Sequence, residues 1–260
     1  MAEEMLPHVV VGNPKGKELV FIAGFPDDEL SSFAPLIALL QDYRIIAICL
    51  PNYQSQVTTY KRWGYDFPQL VEMLDRTLAL ATAGEGPHTL VTHDWGAALG
   101  YLYEAKHPKK VKKMVSVDIG GSVPLCFHLV FYQACFALAY AVSQVFGIIC
   151  GSIVFQFVSW LLKAAPFLSP LCSKTDIYHM DKLTKPTVHM TYPYFYVWKA
   201  ILTGNKRSLI TPFPACPLLF MVRSTNIMYY ITSLPKSNTS SSFSSFPLQI
   251  FFSSSSFLSS

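Results

Sequence analysis

A carboxylate with small neighbours lies at the centre of segment 91–97, VTHDWGA. An attacking side chain must stand clear of the backbone on a sharp strand-to-helix turn, and that turn is crowded enough to require small residues two places before and after it. Thr92 and Gly96 occupy these places around Asp94, although Thr92 is somewhat large. The pattern predicts a nucleophilic Asp94. The alternative is an aspartate that only caps the following helix.

The elements that would position Asp94 follow an alternating pattern of apolar runs and amphipathic segments. Buried strands are predicted at residues 19–23, 44–50, 89–93, 113–118 and 217–222. Helices are predicted at 29–41, 67–80 and 96–106. Continuous apolar strands that alternate with helices indicate a parallel sheet covered on both faces. We therefore predict an α/β core made of residues 1–123 and 204–223.

Residues 124–203 interrupt this pattern with an apolar region that we interpret as a helical lid. From Pro124 to Leu162 there is no Asp, Glu, Lys or Arg. A run of this length is also long enough for two transmembrane spans, so a membrane anchor is the alternative. Glutamines and a histidine recur through it and favour the lid. An apolar lid would suit a small lipophilic substrate.

Three motifs before residue 124 resemble those of one enzyme family. Segment 93–97 resembles the nucleophile elbow of α/β-hydrolases that attack with aspartate, above all epoxide hydrolases and their haloalkane dehalogenase relatives. Segment 24–26 (GFP) resembles the oxyanion-loop motif of epoxide hydrolases, with Ala23 in place of the usual histidine, and segment 63–66 (WGYD) also fits. The resemblance covers about residues 15–222. It implies an α/β-hydrolase fold, a mostly parallel sheet with a helical lid.

The same resemblance implies a two-step reaction through an aspartyl ester. Asp94 would attack an electrophilic carbon, and water activated by a histidine would hydrolyse the ester. Backbone N–H groups of Phe25 and Trp95 would stabilise the oxyanion. Lid tyrosines would protonate the epoxide oxygen, and three near the end of the lid are candidates: Tyr192, Tyr194 and Tyr196. In a dehalogenase the indole of Trp95 would instead hold the halide.

The catalytic base and the catalytic acid of the site are not evident in the sequence. No histidine follows the strand at 217–222, and the candidates His93, His179 and His189 precede it. Asp118, at the end of the preceding strand, is a weak candidate for the catalytic acid. Residues 224–260 become a Ser/Phe-rich tail, predicted to be disordered and to lack the final strand and helix of the fold. We interpret this as a replaced or truncated C-terminus and expect impaired turnover.

Composition excludes several other classes of function. No cluster of Lys and Arg interleaved with aromatic residues indicates nucleic-acid binding, and none of the six cysteines forms a CxxC pair or a zinc-site spacing. No metal or cofactor is therefore predicted. Without a secretory signal at the N-terminus, we expect a cytoplasmic or membrane-associated protein. Haloalkane or ester hydrolysis and a non-catalytic membrane-associated role remain alternatives, and the sequence does not indicate an oligomeric state.

Overall fold

A computed structural model of the protein describes residues 4–54, 60–84, 86–117, 127–164, 186–205, 214–224 and 227–233. In these residues seven strands form one sheet in the order β1-β3-β2-β4-β5-β6-β7. Their bounds are β1 His8–Gly12, β2 Glu18–Ile22, β3 Arg44–Ile48, β4 His88–His93, β5 Val111–Val117, β6 Leu218–Ser224 and β7 Ile227–Ser233.

The five central strands run parallel, and the two edge strands run antiparallel to their neighbours. β2 pairs with β3 and with β4, β4 with β5, and β5 with β6, all parallel. β1 is antiparallel to β3, and β7 is antiparallel to β6. Side chains of β2 and β3 are fully buried at Phe21, Ile22 and residues 45–48. The predicted α/β fold with a mostly parallel sheet is confirmed.

Three helices follow the first strands in the chain. They are α1 Ala34–Leu39, α2 Phe67–Ala81 and α3 Trp95–Lys106. Asp66 caps α2 through a capping box with Gln69, which satisfies backbone N–H groups that a helix start leaves open. α1 is shorter than the predicted helix at 29–41, because the carboxylate of Asp28 accepts from the N–H groups of Leu30 and Ser31 and holds a loop there. A 3₁₀ turn at Ser31–Phe33 leads into α1.

The lid region contains three helices among its described residues. They are α4 Phe127–Phe146, α5 Ile148–Ala164 and α6 Tyr192–Leu202, the last preceded by a 3₁₀ turn at Val188–Thr191. Gly147, with φ 95°, separates α4 from α5, and only glycine adopts such a backbone readily. α4 and α5 pack closely enough that a Cβ on Gly151 would overlap Ser143. None of the described helices is both long and apolar enough to cross a membrane.

Both edge strands differ from the sequence-based expectation. β1 was not predicted; it is a half-exposed valine run that forms only because β3 offers an edge to pair with. The prediction of a tail without structure from residue 224 is wrong for Ile227–Ser233, which forms β7. That segment is rich in β-branched and aromatic residues, the types that favour strands, and it covers the outer edge of β6. The described residues contain no parallel strand or helix after β6.

Candidate active site

Asp94 lies on a sharp turn between β4, which ends at His93, and α3, which begins at Trp95. Its backbone has φ 50° and ψ −123°, a conformation that costs a non-glycine residue about 1–3 kcal/mol. The carbonyl oxygen of Asp94 accepts from the N–H of Ala97 at 2.9 Å, which ties the turn to the first turn of α3. Neighbouring structure holds this strained turn in place, and the turn presents the carboxylate at the carboxyl end of the sheet.

Small neighbours allow the strand and the helix to approach at this turn. A Cβ on Gly96 would overlap the carbonyl oxygen of Ile22 on the adjacent strand β2. Thr92, large for its position, is accommodated because Gly100 opposite it has no side chain; a Cβ there would lie 3.1 Å from Cγ2 of Thr92. The Thr92 hydroxyl shares a 2.7 Å hydrogen bond with Ser116. The crowding anticipated from the sequence is therefore present around Asp94.

The loop after β2 reaches the carboxylate of Asp94. The backbone N–H of Phe25 donates to Oδ2 of Asp94 at 2.7 Å. Gly24 makes this possible, because a Cβ there would lie 2.7 Å from the same oxygen and would overlap the backbone nitrogen of Trp95. Of the two backbone N–H groups expected to form an oxyanion hole, that of Phe25 thus contacts this oxygen.

Trp95 forms an apolar wall beside the carboxylate. Its side chain is buried and packs edge-on against Tyr194, with ring centroids 4.9 Å apart, and against Phe67 at 5.7 Å. Its Nε1 has no hydrogen-bond partner among the described residues. A buried indole N–H without a partner costs free energy, so a ligand that accepts from it would be stabilised at this position.

The structure separates the three candidate lid tyrosines. Tyr194 packs against Phe25 at 5.7 Å as well as against Trp95, so it lies over the elbow. Tyr192 is fully buried, with its ring packed against Gly64. Burial raises the pKa of its phenol well above the usual range. Tyr196 is half-buried, and Lys199 lies over its ring at 5.3 Å. Only Tyr194 of the three contacts residues beside Asp94 in the contacts described.

A further tyrosine, Tyr132, joins the site from α4. Its ring lies 6.0 Å from that of Tyr194 and 6.0 Å from that of Phe136, which in turn packs against Phe25 at 5.7 Å. Sequence reasoning placed the tyrosines only at the end of the lid and missed this one. Tyr132 and Phe136 share a helical face at a spacing of four, which is the signal that identifies the side of α4 facing the core.

His93, next to the nucleophile, faces the loop after β2. Its Nδ1 lies 3.9 Å from Oδ2 of Asp27 and 3.5 Å from Oγ of Ser32, and the Ser32 hydroxyl donates to Asp27. Burial raises the pKa of Asp27, while the Ser32 hydrogen bond and His93 oppose that rise. This cluster fastens the loop that carries Phe25 to the elbow.

Of the other candidates for a base or acid, His189 is the one that lies in the described residues, and its ring stacks on that of Tyr60 at 3.9 Å. Burial lowers the pKa of His189. His179 and Asp118 lie outside the described residues. No group of three or more His, Cys, Asp or Glu side chains in the described part of the chain could hold a metal ion.

Part of this chain is similar in sequence to known proteins. Residues 18–132 match the family model described as the alpha/beta hydrolase fold. Human Epoxide hydrolase 4 is 27% identical over 112 residues, 43% of this chain. The match spans only 30% of that relative's length.

Solved structures extend the similarity beyond residue 132. An epoxide hydrolase from Bacillus megaterium, bound to an inhibitor, superposes with a TM-score of 0.54 at 17% identity, covering 84% of this chain and 78% of that one. The chain has the α/β-hydrolase fold, and part of its sequence is similar to epoxide hydrolases. A carboxylesterase structure from Nitrososphaera gargenis is similar too, with a TM-score of 0.52 at 18% identity, covering 83% and 75%. The α/β-hydrolase fold alone therefore does not choose between epoxide and ester.

The site of this α/β-hydrolase-fold chain lies where parallel α/β sheets bind ligands, outside the carboxyl ends of the strands. Phe25, Asp94 and Trp95 fall inside the matched segment 18–132. Tyr194 lies outside that segment, and the fold brings its ring against Trp95. A separate groove of about 620 Å³ opens at the amino ends of β2, β4 and β5, beside Lys17 and His88, and shares no residue with the elbow.

Proposed function

We propose that this chain opens lipophilic epoxides by forming an ester between Asp94 and a ring carbon of the substrate. The proposal rests on the 2.7 Å hydrogen bond from the Phe25 N–H to Oδ2 of Asp94. By holding one carboxylate oxygen, this bond orients Oδ1 as the attacking atom. A carboxylate needs no base for this attack, because an ordinary aspartate is ionised near neutral pH.

Opening the ring requires a proton donor for the oxygen that leaves carbon. In the first step Oδ1 forms a bond to carbon, the carbon–oxygen bond of the ring breaks, and that oxygen takes a proton. We assign the donors to Tyr194 and Tyr132, whose rings lie 6.0 Å apart above the elbow. The apolar walls formed by Phe25, Phe136 and Trp95 favour an apolar substituent on the epoxide.

Release of the product requires attack of water on the ester carbonyl carbon. Oδ2 then carries the negative charge, and the N–H of Phe25, assisted by that of Trp95, would stabilise it. The attacking water must give its proton to a base; the bond between the carbonyl carbon and Oδ1 then breaks, and the departing alcohol oxygen takes that proton. Among the described histidines only His93 adjoins Asp94, and its Nδ1 lies towards Asp27. We therefore propose that release is much slower than attack.

The test compares three substrate classes with matched variants. A long-chain aliphatic epoxide, a 1-bromoalkane and an aliphatic ester are each incubated in excess with the wild type, D94N and D42N, the last changing an exposed aspartate. The amount of each substrate consumed per mole of protein is followed by gas chromatography. We expect one equivalent of epoxide to be consumed by the wild type and D42N and none by D94N. Equal consumption by D94N, or preference for the ester, would contradict the proposal.

Haloalkane dehalogenation is a second candidate, favoured by Nε1 of Trp95, which lies beside the nucleophile and has no hydrogen-bond partner among the described residues. An indole N–H there could hold the departing halide while Oδ1 of Asp94 forms the carbon–oxygen bond. Bromide release from the 1-bromoalkane distinguishes the two. W95F should abolish bromide release if the indole holds halide, and it should leave epoxide consumption measurable because Phe also packs against Tyr194.

A further inference from the structure

α5 is apolar on two opposite faces, only one of which is covered. Gly151, Phe155 and Val158 are buried on the inner face. The outer face is exposed and carries residues at helical spacing: Ile149, Ile153, Phe157 and Trp160. A helix that is hydrophobic all round is normally buried or in a membrane, so the exposed face of α5 requires a partner.

The exposed surface continues around the α4–α5 turn. Three further large apolar side chains are exposed there: Val145, Phe146 and Ile148. We call these seven residues the lid face. Phe157 and Trp160 stack on each other, with ring centroids 6.0 Å apart, and no charged residue occurs from 124 to 162. A contiguous exposed patch of this kind marks an interaction site.

Cations and amphipathic aromatic residues border the turn of the lid face. Arg62 donates from Nη2 to the carbonyl oxygen of Gln144 at 2.8 Å, immediately before Val145. The neighbouring Lys61 and Trp63 are exposed. Basic and aromatic side chains beside an apolar surface suit the headgroup region of a bilayer with anionic lipids.

We propose that the lid face docks on the surface of an anionic phospholipid bilayer, with α5 lying in the plane of the interface. A protein partner is less suited, because specific protein interfaces carry about one hydrogen bond per 100–200 Å², and among the described side chains of α5 the exposed polar groups are Gln156 and Cys150, with Ser152 and Ser159 half-buried. The described helices do not span a bilayer, so docking is at the surface.

Docking would bring the site close to a lipid phase. The inner side of the same helices contacts the site, since Phe136 of α4 packs against Phe155 of α5 at 5.5 Å and against Tyr194 at 5.3 Å. A lipophilic substrate would then have a short path from the bilayer to Asp94. The docking itself does not depend on catalysis, so D94N should bind vesicles as the wild type does.

Vesicle co-sedimentation tests the proposal with a matched pair of variants. Ile149 and Leu80 are equally exposed, at 74% and 73%, on α5 and α2 respectively. We expect the full chain to bind vesicles of phosphatidylcholine with phosphatidylserine more than phosphatidylcholine alone. I149E should reduce binding about tenfold or more, because a charge in an apolar interface is costly, while L80E should not change it.

A second measurement reports the orientation of α5. Brominated acyl chains should quench the fluorescence of the wild type, and W160F should lose most of that quenching. Three outcomes would overturn the proposal: no binding to either vesicle, equal loss of binding in I149E and L80E, or a lipid-free dimer that I149E converts to monomer in light scattering. The last would identify a second copy as the partner.

Discussion

The backbone N–H of Phe25 donates to Oδ2 of Asp94 at 2.7 Å, although 69 residues separate them in sequence. The contact follows from the topology. β2 and β4 are parallel neighbours with Ile22 opposite Thr92, so the loop after β2 and the turn after β4 meet at the same end of the sheet. The proposed chemistry depends on an oriented carboxylate at this end of the sheet.

Gly24 is predicted to be essential for attack by Asp94. In G24A the added Cβ would lie 2.7 Å from Oδ2 and would push the Phe25 N–H away. Misplacement of the attacking Oδ1 by about 1 Å lowers a rate by about 100-fold, and the rate of epoxide consumption measures it. G84A is the control, because a Cβ at Gly84 meets nothing within 4 Å. Equal rates in G24A and the wild type would show that the loop contact is dispensable.

Two buried tyrosines are predicted to affect stability in opposite directions. The hydroxyl of Tyr192 is buried without a partner in the described residues, whereas that of Tyr53 donates to the carbonyl oxygen of Met190. Y192F should raise the free energy of unfolding by about 1 kcal/mol, and Y53F should lower it by a similar amount. Urea denaturation measures both. A destabilised Y192F would mean that its hydroxyl has a partner.

Glu104 is predicted to anchor the segment before β6. Its carboxylate is buried and accepts from the N–H groups of Ala215 at 3.0 Å and Cys216 at 3.2 Å. E104A should lower the free energy of unfolding by about 2–3 kcal/mol, because two backbone donors lose a charged acceptor. E104Q keeps an oxygen in place and should lose less. If E104Q and E104A lose equally, the hydrogen bonds are not the cause.

The free energy of unfolding is predicted to decrease as the pH falls below about 6.5, and His88 is the cause. Burial lowers the pKa of this histidine in the folded protein. The unfolded chain therefore binds a proton at a higher pH than the folded one, and stability is lost as the pH falls towards the folded pKa. Urea midpoints at pH 7.5 and 5.5 measure the loss, which should be smaller in H88Q. Identical pH dependence in the two proteins would exclude His88 as a source.

The parts of the fold that could be predicted are those specified by local sequence. The apolar runs of β2 to β6 predict their strands, and small residues around Asp94 predict the crowded turn, because both depend on near neighbours. β1 and β7 depend on pairing with a distant strand edge. The position of Tyr132 beside Tyr194 depends on how α4 packs against α6, and 62 residues separate the two tyrosines. Periodicity within one helix does not contain that information.

The most direct test of the central claim is a time course of protein mass after mixing with an excess of a lipophilic epoxide. We expect the intact chain to gain the mass of one substrate molecule, the added mass to map to the peptide carrying Asp94, and the adduct to persist after excess reagent is removed. Sustained diol formation without an Asp94 adduct, or the same adduct in D94N, would contradict the account.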